Sequence, residues 1–160
     1  MKNTMEKTNV MRILSQHKIA YTARCYADTD ALSGVEVAQA LGQDPARMFK
    51  TLVTVGHTKM YYVFMVPAPA ELDLKKAAQA VGEKNIEMIK SKDLLPLTGY
   101  IHGGCSPIGM KKQFRTTLDA SAAQYETIYY SAGKIGYQVE TTVADLQSVV
   151  PLTLADLTVE

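Results

Sequence analysis

The stretch FKTLVTVGHTKMYYVFMV, residues 49–66, contains two runs of β-branched and aromatic residues on either side of GHTK (56–59). Runs of this composition favour strands, and a short glycine-containing segment between them is typical of a β-hairpin. Pro67 and Pro69 follow the second run and mark its end, because proline has no N–H to donate to a β-ladder. The stretch therefore predicts an antiparallel pair of strands.

A second hairpin is predicted further along the chain, where TIYYSA (127–132) and YQVET (137–141) flank the turn segment GKIG (133–136). Strands that come as hairpins, and not singly between long helices, favour antiparallel pairing. We therefore expect a mixed, largely antiparallel and curled sheet with helices packed around it. The predicted fold class is α/β in the mixed α+β sense, and residues 1–160 are expected to form a single compact domain.

Helices are predicted where apolar residues recur at helical spacing between capping residues. Asp73 is expected to cap a helix that ends at Gly82, with Leu74 facing the interior. Ser91 is expected to cap a further helical turn. The other predicted helices lie in TNVMRILSQH (8–17), SGVEVAQALG (33–42) and TVADLQSVV (142–150).

The composition limits the classes of protein to which the chain belongs. Its 160 residues are 47% apolar and 21% charged, which is ordinary for a globular domain. The formal net charge of +1 argues against a protein that holds nucleic acid unaided, and we expect no DNA partner. No apolar run has the roughly 20 residues of a membrane span, and the N-terminus lacks a signal-peptide pattern. We expect a cytoplasmic protein with no membrane partner.

The loop GYIHGGCSPIGMKK, residues 99–112, holds one of two cysteines, one of three histidines and four glycines. Cys105 could be a nucleophile with His102 as its base, although such partners normally meet through the fold and not through sequence adjacency. His102 and Cys105 would supply only two ligands of a metal site, so no metal is predicted. Gly103 and Gly104 could instead present backbone N–H groups to an oxygen carrying negative charge, or simply form a tight structural turn.

Lys50 is the second candidate functional residue. It stands at the start of an apolar strand, where a lysine is either a solvated edge residue or a charge held at the mouth of a pocket. Lys111, Lys112 and Arg115 form a basic run after the glycine loop, which is either a solvated surface or a phosphate contact. The pattern alone leaves both pairs of alternatives open.

Four segments, taken together, resemble the YbaK/EbsC family, the free-standing relatives of the prolyl-tRNA synthetase editing domain. They are MFKTLVTV (48–55), ELDLKKAAQAVGEKNIEMI (71–89), LTGYIHGGCSPIGMKK (97–112) and IYYSAGKIGYQVE (128–140). The resemblance runs from about Tyr26 to the last predicted helix. It implies the YbaK/prolyl-tRNA synthetase editing-domain fold and no cofactor.

The resemblance also implies an activity. Members of the family are trans-editing deacylases that release cysteine from mischarged Cys-tRNA(Pro), and often from Cys-tRNA(Cys). The thiol of the substrate is thought to attack its own ester carbonyl, so that the site works by positioning the substrate and by steadying the oxyanion. The expected partners are therefore the acceptor end of tRNA(Pro) and prolyl-tRNA synthetase in a ternary complex. The synthetase would supply the affinity for tRNA that a protein with a net charge of +1 lacks.

Residue by residue, the resemblance assigns roles to the following positions. Lys50 matches an essential lysine that orients the acceptor end or the ester, and Gly103 and Gly104 match the glycine pair facing the scissile carbonyl; these three are the predicted catalytic residues. The predicted substrate-binding residues are Tyr26, Thr51, Ser131, Gly133 and Gln138, together with Ser106 and Pro107, which shape the turn. By the same resemblance, Cys105 needs no catalytic role and is a packed side chain.

Two positions depart from the best-studied branch of the family. Gln138 stands where that branch has an aspartate, and Ser33 stands near its phenylalanine. Both changes affect the pocket or its rim and therefore the amino-acid specificity. The alternatives to a Cys-tRNA(Pro) deacylase are a hydrolytic editing deacylase for another small aminoacyl-tRNA, a non-catalytic module that binds an aminoacyl or nucleotide end, and an enzyme that uses the Cys105 thiol.

Overall fold

The computed structural model describes residues 6–26 and 34–160, so that Ser33 lies outside the described residues. Two short 3₁₀ helices occupy Pro45–Arg47 and Ala120–Gln124. The α-helices are α1 (Asn9–Gln16), α2 (Gly34–Ala40), α3 (Leu74–Val81), α4 (Ser91–Thr98) and α5 (Val143–Val149). The strands are β1 (Thr22–Cys25), β2 (Phe49–Gly56), β3 (Tyr61–Pro67), β4 (Ile86–Met88), β5 (Arg115–Asp119), β6 (Ile128–Ser131), β7 (Tyr137–Thr141) and β8 (Leu152–Ala155).

The described strands form two sheets. The larger has the order β4-β2-β3-β5-β8 and the smaller has the order β1-β7-β6. Both predicted hairpins are confirmed, since β2 pairs with β3 and β6 pairs with β7 in antiparallel register. A parallel bridge between Met48 and Tyr129 links the two sheets next to the start of β2. The fold is thus mixed α/β with largely antiparallel pairing, as the hairpins predict.

The β3 strand explains why its sequence is apolar without alternation. Phe64 packs with Ala77 and Val81 of α3 on one face of the large sheet, whereas Met65 packs into the main core between the two sheets. A strand covered on both faces must be apolar at successive positions. The main core also contains Leu14 of α1, which the helical spacing of its segment placed on a buried face.

Two strands were not predicted from the sequence. β5 runs parallel to β3, and β8 runs parallel to β5, so that one edge of the large sheet is parallel. Both strands are short, and β5 contains threonines that are nevertheless buried. The buried carboxylate of Asp119 holds this edge together, because it accepts hydrogen bonds from the backbone N–H groups of Ser121 at 3.1 Å and Leu157 at 2.9 Å.

Two expectations about helix ends were wrong. Asp73 does cap α3 and Gly82 does end it, but Leu74 is 41% exposed. Leu72, the residue before the cap, packs against the core in its place, as in a hydrophobic staple. Ser91 does not cap α4, because Lys90 already holds the extended N-cap conformation and Ser91 is the first helical residue. None of the described helices is long and apolar enough to cross a membrane.

Candidate functional site

A cavity of about 290 Å³ opens where β2, the glycine loop and the end of β1 meet. Its volume lies at the lower end of the roughly 300–1,000 Å³ of small-molecule sites. The predicted site residues that line it are Tyr26, Lys50, Thr51, Gly103 and Ser131. Residues far apart in the sequence therefore share one concave surface, as a binding site requires.

Lys50 lines this cavity near the start of β2, opposite Val66 of β3. Burial lowers the pKa of its ammonium group, and the carboxylate of Glu71 acts in the opposite direction. A cation at the wall of a partly enclosed cavity attracts an anionic or carbonyl group more strongly than a solvated one does. Of the two hypotheses for Lys50, a solvated edge residue and a charge at a pocket, the position of Lys50 in the cavity wall supports the second.

Thr51 lines the same cavity, and its hydroxyl group is buried without a hydrogen-bond partner among the described residues. A buried hydroxyl without a partner is costly, because it has lost its bonds to water. Thr51 thus presents a donor and an acceptor to whatever occupies the cavity.

The glycine loop contributes Gly103 to the cavity wall. Gly103 has φ +88°, a conformation that favours glycine, and no hydrogen bond within the described part of the chain uses its N–H. The N–H of Gly104 donates instead to the carbonyl oxygen of Ile101 at 2.9 Å. The backbone donor that the sequence pattern placed at Gly104 is thus used within the loop, which leaves Gly103 as the available donor of the pair.

Gly104 does not line the cavity but is needed for packing. A Cβ atom added there would lie 3.2 Å from the backbone nitrogen of Ile135 in the β6–β7 turn. That distance is tighter than an ordinary van der Waals contact, so a side chain at Gly104 would push two loops apart.

Ser106 and Pro107 are buried behind the cavity wall and do not line it. The hydroxyl oxygen of Ser106 accepts a hydrogen bond from the N–H of Ile108 at 3.3 Å. The hydroxyl group of Tyr100 donates to the carbonyl oxygen of Ile108. These bonds agree with the expectation that Ser106 shapes the turn, and direct contact of either residue with a substrate stays a prediction.

Tyr26 and Ser131 lie on the small-sheet side of the cavity. The N–H of Tyr26 donates to the carbonyl oxygen of Gly136 at 2.7 Å, and burial raises the pKa of its phenol. The hydroxyl oxygen of Ser131 accepts from the N–H of Gly133 at 3.0 Å. Gly133 itself does not line the cavity, and a Cβ there would lie 2.9 Å from the side chain of Val10, so its role in the structure is close packing.

Gln138 is fully buried on β7 and lies outside the cavity wall. Its amide nitrogen donates to the sulfur of Met48 at 2.9 Å, and its amide oxygen accepts from the side-chain amide of Gln43 at 2.7 Å. Met48 does line the cavity. Gln138 therefore contacts the cavity wall by its hydrogen bond to Met48. Direct binding of a substrate by Gln138 stays a prediction.

Cys105 and His102 both line the cavity, but the chemistry of a thiol nucleophile is unfavourable there. Burial raises the pKa of the Cys105 thiol to about 12, and the thiolate is the reactive form. Within residues 6–26 and 34–160, no group of three or more histidine, cysteine or acidic side chains is placed to hold a metal ion.

Sequence reasoning missed the apolar wall of the cavity. Its members are Val37, Met48, Phe49, Leu52, Ala68 and Leu94. None of these residues carries a chemical signal in the sequence, because an apolar side chain that faces a cavity has the same local pattern as one that faces the core. The one local signal is at Ala68, which lies between Pro67 and Pro69 just after the first hairpin, where the strand ends.

Comparison with known proteins gives consistent results. Residues 28–149 match the family model of the aminoacyl-tRNA editing domain. A protein of Enterococcus faecalis (strain ATCC 700802 / V583), provisionally named Cys-tRNA(Pro)/Cys-tRNA(Cys) deacylase EbsC, is 49% identical over 158 residues, which cover 98% of this chain and 96% of that protein.

Solved structures share the fold. One of them, described provisionally as a trans-editing enzyme for prolyl-tRNA synthetase, is 25% identical with a TM-score of 0.82 and covers 94% of this chain and 95% of its own. The hypothetical protein APE2540 is 18% identical with a TM-score of 0.85, covering 96% of this chain and all of its own, and it supports the fold alone.

Proposed function

Because this chain belongs to the aminoacyl-tRNA editing domain family, we propose that it is a trans-editing deacylase that releases cysteine from Cys-tRNA(Pro) and from Cys-tRNA(Cys). The observation that carries the proposal is the cavity that joins Lys50, the hydroxyl of Thr51 and the N–H of Gly103. Neither the hydroxyl nor the N–H has a hydrogen-bond partner among residues 6–26 and 34–160. These are groups that position and polarise an ester. None of them is an activated protein nucleophile.

The reaction proposed here is an intramolecular acyl transfer within the substrate. The sulfur of the cysteinyl side chain attacks its own ester carbonyl, so that a C–S bond forms and the bond from the carbonyl carbon to the ribose oxygen breaks. The thiol proton passes to that ribose oxygen through solvent. The products are a four-membered cysteine thiolactone and tRNA with a free terminal hydroxyl, and water then opens the thiolactone to cysteine.

In this reaction the protein holds the attacking sulfur against the carbonyl carbon, which removes much of the entropic barrier. In the proposed reaction the N–H of Gly103 stabilises the developing oxyanion, and the hydroxyl of Thr51 binds the aminoacyl group. Lys50 fixes the acceptor end through its positive charge. Gly104, Ser106 and Pro107 hold the loop in shape, and the phenol of Tyr26 forms the wall beside the terminal adenosine.

The low net charge agrees with the partners that membership of the family implies. Phosphate neutralisation by basic side chains supplies most of the affinity of a protein for tRNA, and a net charge of +1 supplies little. We therefore expect prolyl-tRNA synthetase to hold the body of tRNA(Pro) while this chain takes the acceptor end in a ternary complex. Such a complex belongs in the cytoplasm, where translation takes place, and residues 1–160 would act in it as one editing domain.

The test compares Cys-tRNA(Pro), Ser-tRNA(Pro) and Ala-tRNA(Pro) as substrates of the wild-type protein and of Lys50→Ala. Serine differs from cysteine only by oxygen in place of sulfur, so the pair isolates the thiol. We expect the cysteinyl ester to be cleaved selectively, and Lys50→Ala to lower kcat/KM by about a hundredfold or more, as loss of an electrostatic group at a reacting centre does.

Lys84→Ala is the matched control, because Lys84 is an exposed lysine outside the cavity. Equal cleavage of the seryl ester would replace the substrate-thiol mechanism by attack of water. Absence of cleavage of all three esters, with prolyl-tRNA synthetase present, would instead assign the chain to the non-catalytic binding modules.

A further inference from the structure

The cavity wall at Met48 is held by a relay of two amide side chains, those of the buried Gln138 and the half-buried Gln43. Methionine is unbranched and flexible, so a methionine in a binding wall normally adapts to its ligand. Here the sulfur of Met48 accepts a hydrogen bond from Gln138 at 2.9 Å, and Gln138 accepts in turn from Gln43 at 2.7 Å. Met48 and Gln138 are 7% and 0% exposed, so water does not compete for the bond between them, and Gln43 is half-buried.

The neighbours of Gln138 include two residues that line the cavity, Met48 and Ser131. Gln138 lies on the middle strand of the small sheet, opposite Arg24 on β1 and Ser131 on β6. It does not line the cavity, whereas Met48 does. On the other side Met48 packs with Ala38, Tyr129 and Ala68. A change of the Gln138 side chain removes its hydrogen bond to Met48, and through Met48 it alters the cavity wall.

We propose that Gln43 and Gln138 form a positioning relay that fixes Met48, and that the fixed Met48 side chain limits the size of the aminoacyl group that the cavity accepts. This inference rests on the proposed function for the identity of the ligand. Hydrophobic pockets discriminate between side chains by the space they deny, and that discrimination requires a wall that does not move. Without the relay, Met48 turns aside and longer side chains enter.

The first measurement is binding of two unreactive amide analogues of aminoacyl-adenosine, one with a seryl and one with a methionyl side chain. We expect the wild-type protein to prefer the seryl analogue. Gln138→Leu, which keeps the volume but removes both hydrogen bonds, should reduce the preference by roughly threefold to tenfold. Gln43→Leu should reduce it less, and Gln147→Leu, at an exposed glutamine on α5, should leave it unchanged.

The second measurement is a double-mutant cycle. If Gln138 acts only through Met48, then Gln138→Leu has no further effect on the preference in a Met48→Leu background. An independent effect of the same size in that background overturns the relay. The methyl resonance of Met48 in protein labelled with methyl-¹³C methionine gives a readout that does not need a ligand: we expect one fixed rotamer in wild type and rotamer averaging in Gln138→Leu.

The outcomes separate this inference from the proposed function. If the wild-type protein binds neither analogue, the proposed function fails and the size limit falls with it. If it binds both but Gln138→Leu leaves their ratio within twofold, or leaves the Met48 resonance unchanged, the relay is overturned while the proposed function stands.

Discussion

Replacement of Cys105 separates the substrate-thiol mechanism from a protein-thiol enzyme. Burial raises the pKa of this thiol to about 12 from an ordinary value of 9.0. At about pH 7.5 the thiolate fraction is then about 3 in 100,000, roughly a thousandfold below that of an unperturbed thiol. The difference of three pKa units corresponds to about 4 kcal/mol that a Cys105 nucleophile would have to recover elsewhere.

We therefore expect Cys105→Ala and Cys105→Ser to keep kcat/KM for Cys-tRNA(Pro) within roughly threefold of the wild-type value, since neither removes a group that reacts. Alkylation by iodoacetamide, followed by mass spectrometry of the native protein, provides a second check. The exposed Cys25 should be modified first and Cys105 should lag far behind it. The serine variant buries a hydroxyl in place of a thiol, so urea unfolding should accompany both assays.

The result that would refute this reasoning is loss of turnover in Cys105→Ala with unchanged far-UV circular dichroism and an unchanged unfolding midpoint. Such a result would mean that the thiol reacts despite its burial, with His102, which also lines the cavity, as the candidate for its base. Alkylation of Cys105 before Cys25 would also contradict the argument, because it would show that the buried thiol is reactive.

Three further predictions concern the loop and the framework. Gly103→Ala and Gly82→Ala both place alanine at positive φ with no close contact, so each should cost about 1 kcal/mol in urea unfolding. Only Gly103→Ala should also lower kcat/KM, by about tenfold, because only Gly103 lines the cavity; equal loss in both would refute its role. Asp119→Asn should cost about 2 kcal/mol in urea unfolding, because the amide cannot replace both accepted N–H bonds, and a cost near zero would contradict the buried-carboxylate account. Hydrogen bonds from Thr58 and Tyr62 lower the pKa of Glu83, so its contribution to stability is full above the unfolded pKa of 4.5 and is lost as the pH falls through the folded value. The stability difference between wild type and Glu83→Gln, measured by urea unfolding across this range, should therefore shrink in acid; a constant difference would show that the charge is not responsible.

Local structure was largely predictable because its signals lie within a few residues of each other. The two hairpins follow from apolar runs on either side of short turn segments. The N-cap at Asp73 and its bonds to the next backbone N–H groups follow from one side chain and one helical turn. Where the local pattern was ambiguous the expectation failed: Leu74 had the spacing of an inward residue, but Leu72 occupies the core position instead.

The sequence by itself determined the hairpins and most helix ends. Its resemblance to a known family also singled out Lys50, Thr51 and Gly103, all of which line the cavity. Only the tertiary structure decided the rest. Strands β5 and β8 owe their parallel pairing to partners dozens of residues away, so their short sequences carry no sign of it. The same holds for the hydrogen bond between Gln138 and the sulfur of Met48, 90 residues earlier in the chain. Whether a side chain faces a cavity depends on which distant element packs behind it. The packing of the whole core decides which elements become neighbours, and no local sequence pattern records it.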